Sequence, residues 1–173
     1  MNRHLRRKQK KEGIKKNNIN IKLLEAIKFH SNKNFNEAER IYKQLNESSP
    51  NNYDVLRHLG ILNQDLDRLE EAYNFFQDAI RVKSDGFEAL NNLGTIHVMN
   101  KNQNMALKCF EKSISINPNY VPTINNLAGL YHKLHKSEEA LKYSNKAISL
   151  QPNNPLALNQ HAKALVLNNK IDE

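Results

Sequence analysis

Tryptophan is absent from this 173-residue chain, and cysteine occurs once. A single thiol excludes an intramolecular disulfide. No Cys/His set surrounds Cys109, so it reads as a small packed side chain rather than a metal ligand. Glycine and proline number five each, and this scarcity of helix breakers fits an all-helical chain. Aromatic residues make up 7% of the sequence, fewer than one compact core of this length usually carries. A repeat architecture needs fewer, because each repeat buries only the faces it turns to its neighbours. No apolar run approaches the length of a membrane span. The basic N-terminus lacks the apolar centre of a secretory signal, so the expected compartment is cytoplasmic. All five glycines are isolated, which excludes a glycine-rich phosphate loop. Seven histidines are scattered, and His132 and His135 share a helix spacing without a Cys or carboxylate partner. No nucleophile–base–acid set is recognisable, so no catalysis, cofactor or metal site is expected within these residues.

Charge is present but unevenly placed. Residues 1–16 hold eight Lys/Arg against one acid, Glu12, out of a net charge of +8 for the chain. The remainder has 18 basic and 17 acidic residues, so the body is nearly neutral. Residues 1–18 form a basic segment with almost no apolar periodicity, expected as a flexible tail. Its cations Arg3, Arg6, Arg7, Lys8, Lys10 and Lys11 could contact an anionic partner, either nucleic acid or a membrane surface. No aromatics are interleaved to stack on bases, which weakens the nucleic-acid reading. Leu5 and Ile14 are too little apolar surface for a membrane-lying helix.

The organising unit is residues 87–120. Leu90, Leu93, Gly94 and His97 mark one face of a helix. After a polar break at Asn100 to Asn104, Ala106, Phe110 and Ser113 mark a second helix, and Pro118 closes the unit. The pattern returns at a shift of 34. Ala38, Ala72, Ala106 and Ala140 fall in register, as do Gly60, Gly94 and Ala128, and Phe76, Phe110 and Ser144. This order of Leu–Gly, Ala, aromatic, small residue and Pro resembles the tetratricopeptide repeat, a helix–turn–helix of 34 residues. The resemblance covers about residues 19–173. It implies an all-α, right-handed superhelical solenoid of about four and a half repeats, near 19–52, 53–86, 87–120, 121–154 and a partial 155–173.

The repeats differ in informative ways. The first lacks the glycine, and Ala26 takes its place; Asn34 with Glu37 forms a capping-box arrangement at its second helix. In the second, Ser84-Asp85-Gly86 replaces the proline turn, with Gly86 expected at positive φ and Asp85 expected to cap the next helix. In the fourth, Ser144 stands where an aromatic is usual, and a thinner core is expected unless a neighbour fills it. In the fifth, Leu158, Ala162 and Leu165 mark one helix. Lys170 to Glu173 then match the start of a second, one residue short of the repeat alanine, so the sequence reads as the N-terminal part of a longer chain.

In the resembled family the first helix of each repeat lines a concave groove. Mapped residue by residue, the groove holds Arg57 and His58 with Gln64, Asn91 and Asn92 with Thr95, Asn125 and Asn126 with His132, and Asn159 and Gln160 with Lys163. A carboxamide carries a donor and an acceptor, so a row of them could hold an extended chain by its backbone. The row is similar to the asparagine ladder in the repeat arm of O-linked N-acetylglucosamine transferases. Asn92 and Asn126 match that pattern, Gln160 matches loosely, and His58 departs. The family's carboxylate clamp fits poorly, since Ile61 and Pro122 stand where Asn and Lys are wanted. The resemblance implies a non-catalytic scaffold that binds another protein or an extended peptide segment. A second reading is a recruitment arm of a larger glycosyltransferase, sulfotransferase or methyltransferase whose catalytic domain lies beyond Glu173. A third, weaker reading is an adaptor tethered by the basic tail.

Overall fold

The computed structural model describes residues 3–169, with side chains described from residue 17. The described residues form helices joined by short turns, and they divide into two compact units, Met1–Lys83 and Ser84–Glu173. The first unit holds α1 (Arg3–Ser31), α2 (Phe35–Ser48), α3 (Tyr53–Asp65) and α4 (Leu69–Val82). The second holds α5 (Phe87–Met99), α6 (Gln103–Ile116), α7 (Val121–Lys133), α8 (Ser137–Leu150) and α9 (Pro155–Asn169). Helices α3, α5, α7 and α9 begin at Tyr53, Phe87, Val121 and Pro155, each 34 residues after the last. Their partners begin at Phe35, Leu69, Gln103 and Ser137 with the same spacing.

Helix α1 runs through residue 18, where the sequence places the end of a basic tail. The tail side chains Arg3, Arg6, Arg7, Lys8, Lys10 and Lys11 lie outside the described residues, as do Lys170 to Glu173.

Local chemistry sets the helix ends. Each turn within a pair passes through one residue in the left-handed region, Lys33, Asp67, Lys101 and His135, at φ between 57° and 59°. The next N–H then reaches back five residues: Arg68 N to Asn63 O at 2.8 Å, Asn102 N to His97 O at 2.8 Å, Lys136 N to Tyr131 O at 3.0 Å. None of the four is glycine, although a side chain in this conformation costs roughly 1 kcal/mol. Asparagine side chains cap the helix starts. Asn52 accepts from Val55 N at 3.1 Å, Asn102 from Met105 N at 3.3 Å and Asn154 from Ala157 N at 3.2 Å. The arrangement expected at Asn34 is present, with Glu37 N donating to its Oδ1 at 3.4 Å. Capping thus employs part of the abundant asparagine, at about 1 kcal/mol per cap.

The turn before α5 departs from expectation. Gly86 sits at φ −72°, and no glycine has positive φ among the described residues. Asp85 contributes its backbone carbonyl to Phe87 N at 2.9 Å, and the N-cap position of α5 is held by Gly86, which has no side chain to cap with. The turn therefore forms without a left-handed glycine.

Packing within a pair joins a glycine to an aromatic ring. A Cβ built on Gly60 would lie 2.4 Å from Phe76 Cε1, and one on Gly94 would lie 2.4 Å from Phe110 Cε1. Both rings are buried. Where Ala128 replaces the glycine, Ser144 replaces the ring, so the pair exchanges volume in step. The thinner core expected there is filled from α9: Ser144 is fully buried and its Oγ lies 3.3 Å from His161 Nδ1. Tyr131 and Tyr143 stack alongside at 5.5 Å. In α9 the buried residues are Ala157 and Ala164. Leu158 and Leu165 are exposed, because no described helix covers their face.

Candidate functional site

In the second unit, α5, α7 and α9 are the first helices of successive pairs, and α7 packs against both of the others. The paired amides lie on these helices, and packing treats the two members differently. Asn91 is 5% exposed and Asn125 2% exposed, while Asn92, Asn126 and Gln160 are half-buried and Asn159 is exposed. The first member is covered wherever a further first helix follows in the described residues, as α7 follows Asn91 and α9 follows Asn125.

Asn91 is consumed by that packing. Its Oδ1 accepts from Thr123 Oγ1 at 3.0 Å and from Asn126 Nδ2 at 2.9 Å. Thr123 Oγ1 lies 2.8 Å from Ser113 Oγ, which also reaches Phe87 O at 2.9 Å. Each hydroxyl has one proton and an acceptor-only partner, Asn91 Oδ1 for Thr123 and Phe87 O for Ser113, so the contact between the two hydroxyls is made by sharing one of these protons. Thr95 Oγ1 donates to the Asn91 carbonyl at 3.2 Å. Asn91 is therefore a strut between α5 and α7 and not a group held ready for a ligand, contrary to the expectation from its register. Its Nδ2 donates to Asn92 Oδ1 at 3.4 Å.

Beyond this strut lies a cavity of about 150 Å³, lined by Thr95, Val98, Phe110, Asn125, Asn126, Gly129, Leu130, Lys133 and Gln160. It brings together Asn125, Asn126 and Gln160, three of the residues the register selects. Gly129 makes the room, since a Cβ there would lie 3.2 Å from Gln160 Nε2. Neither Gly129 nor Thr123 stands out in the sequence, because each matters only through a residue about one repeat away.

The first unit presents different chemistry at the same register. His58 stacks on Tyr42 with centroids 5.9 Å apart. Arg57 Nη2 lies 3.1 Å from His58 Nε2. A guanidinium can only donate, so Nε2 accepts and the imidazole is neutral. Burial, with Arg57 and His30 nearby, pushes the His58 pKa down to about 4. His30 Nε2 meets Asp65 Oδ2 at 2.9 Å and joins α1 to α3. These groups border an open cavity of about 660 Å³ whose apolar wall is Ile27, Phe35 and Ile61. Burial pushes the Tyr42 hydroxyl up to about 12.

Two other residues carry no site. Cys109 is buried, and burial raises its thiol pKa, which keeps it protonated and unreactive. His97 is a packed core imidazole whose pKa burial lowers. Among the described residues no three His, Cys, Asp or Glu side chains converge as a metal site, and no helix is long and apolar enough to cross a membrane.

Models of the tetratricopeptide repeat match residues 87–120 and 109–142. No curated protein sequence matches the chain. Among solved structures, the MamA protein is similar with a TM-score of 0.70 at 22% identity, over 87% of this chain and 82% of that one. PilF of Pseudomonas aeruginosa is similar with a TM-score of 0.79 at 18% identity, over 88% of this chain and 69% of that one. The Cut9-Hcn1 hetero-tetramer of the APC/C gives a TM-score of 0.75 at 16% identity, over 83% of this chain and 29% of that one. Tetratricopeptide repeats are thus matched within residues 87–142, and the fold is that of an all-α repeat solenoid.

Proposed function

We propose that the chain is a non-catalytic scaffold that holds an extended segment of another protein on the faces of its first helices. The observation that carries this reading is the meeting of Asn125, Asn126 and Gln160 around one cavity with Thr95 and Lys133 at its edge. Polar groups that converge on a concave surface without nucleophile or metal chemistry suit recognition rather than reaction. Asn92, half-buried on the same helix as Thr95, extends the polar face along α5. The likeness to the asparagine ladder of the O-linked N-acetylglucosamine transferases then rests on Asn92 and Asn126, with Gln160 as a looser match. One structural relative, Cut9-Hcn1, is a hetero-tetramer, which accords with a fold used in assembly.

The test is selection of linear peptides from a random library on the immobilised chain, followed by fluorescence-polarisation titration of a selected peptide. The double change Asn92→Ala and Gln160→Ala is expected to weaken binding by about tenfold or more, with little change in melting temperature. Affinity unchanged in the double variant would reject these amides as the binding face.

A further inference from the structure

The hydrogen bonds around Asn126 decide which half of its amide a ligand can use. A carboxamide offers two donor hydrogens and one acceptor oxygen. The amide nitrogen of Asn126 is committed inward, to Asn91 Oδ1 at 2.9 Å and more weakly to Thr95 Oγ1 at 3.4 Å. The orientation is held from behind, because Asn91 Oδ1 also takes the proton of Thr123 at 3.0 Å. Only the oxygen of Asn126 remains for the cavity. Beside it, Asn125 is 2% exposed, and its Oδ1 has no hydrogen-bond partner within the protein. An unpaired buried carbonyl is a standing cost that an arriving donor relieves. The terminal torsion of Asn is soft and two-fold, so this oxygen can turn to meet a donor. Gln160 lies against Gly129 on the far wall of the cavity.

We propose that the Asn125 and Asn126 oxygens form an acceptor subsite in this cavity for an amide N–H, from the backbone of an extended segment or from an Asn or Gln side chain of the partner, and that Asn91 and Thr95 are its positioning residues. The proposal rests on the scaffold reading above and narrows it. A free carboxamide would take either end of a peptide unit, whereas this locked one takes only the N–H. A proline nitrogen or an ester at that point of the ligand would fail.

The experiment is a ¹⁵N–¹H titration of the full chain with three small probes. N-methylacetamide stands for a backbone unit, acetamide for an Asn or Gln side chain, and N,N-dimethylacetamide keeps the carbonyl but has no N–H. At least one of the first two is expected to shift the side-chain signals of Asn125 and Asn126 and the Gly129 amide saturably. The stronger of them identifies the source of the amide. Dimethylacetamide is expected to bind about tenfold more weakly or worse. In Asn91→Ala, Asn126 is released to donate, and the discrimination should fall toward unity. Thr95→Val, which frees one hydrogen only, should reduce it partway and serves if Asn91→Ala fails to fold. Equal binding of dimethylacetamide in the native chain would overturn the acceptor assignment while leaving peptide binding intact. No shift with any probe would overturn the subsite. Library peptides that fail to bind while the amide probes succeed would sink the scaffold reading alone.

Discussion

The two units place different chemistry on one frame. At the paired positions of the first helices, the first unit has Arg57 and His58, and the second has Asn91-Asn92, Asn125-Asn126 and Asn159-Gln160. Beneath both lies the same packing, a glycine against a buried ring, with the same 2.4 Å approach at Gly60 and at Gly94. The face of the first unit titrates, through a neutral, half-buried His58 stacked on Tyr42. The carboxamide face of the second does not titrate. A repeat frame fixes where side chains stand and leaves open what they do, so recognition can change from one unit to the next without cost to stacking.

The largest expected effect tests the shared frame. Gly60→Ala and Gly94→Ala should each cost about 3 kcal/mol by forcing a methyl into a buried ring. The urea midpoints of the two variants should fall together, and a wide gap would break the claim that both units pack alike.

The titrating face comes next. The His58 pKa lies below its unfolded value of 6.5, at about 4, so the unfolded chain takes up the proton first. Stability is full above pH 6.5 and is lost as pH falls toward 4, by about 2 kcal/mol between pH 7 and 4.5. His58→Gln should flatten most of that slope in urea titrations at several pH values. A residual slope is expected from His97, whose pKa burial moves in the same direction. An unchanged slope in His58→Gln would remove the contrast between the units.

Smaller effects sharpen the description of the second unit. Thr123→Val removes the proton that Asn91 Oδ1 accepts and should cost about 1 kcal/mol, read by calorimetry. A neutral outcome would mean that Asn126 alone holds Asn91. Smallest of all, Asp67→Gly and Lys101→Gly relieve the left-handed conformation at the two turns. Each should stabilise by no more than about 0.5–1 kcal/mol, after the entropy glycine adds to the unfolded chain is subtracted.

Much of the fold is legible because its signals are local. Apolar spacing, the Asn34–Glu37 arrangement and the Gly–Phe pairs each involve residues a few positions or half a repeat apart. The turns are less legible. Lys33, Asp67, Lys101 and His135 adopt a conformation that favours glycine, and the period of 34 is the one sequence hint to them. Conversely, Gly86 looks like a left-handed stop and is not one. The candidate site is half legible. Register selects Asn91, Asn125 and their neighbours, but the burial that spends Asn91 and leaves the Asn125 oxygen without a partner arises only when α7 and α9 are in place.

By itself, the sequence determined the helix period, the small-against-large packing and the positions that line the first-helix face, since these depend on contacts the chain makes with its near neighbours. Tertiary structure alone decided that Asn126 turns its nitrogen inward and its oxygen away from Asn91. The bonds that settle it, Thr123 and Asn126 to Asn91, join residues 32 and 35 apart. An amide looks the same from either end in sequence, and only a donor delivered by the next repeat distinguishes its oxygen from its nitrogen.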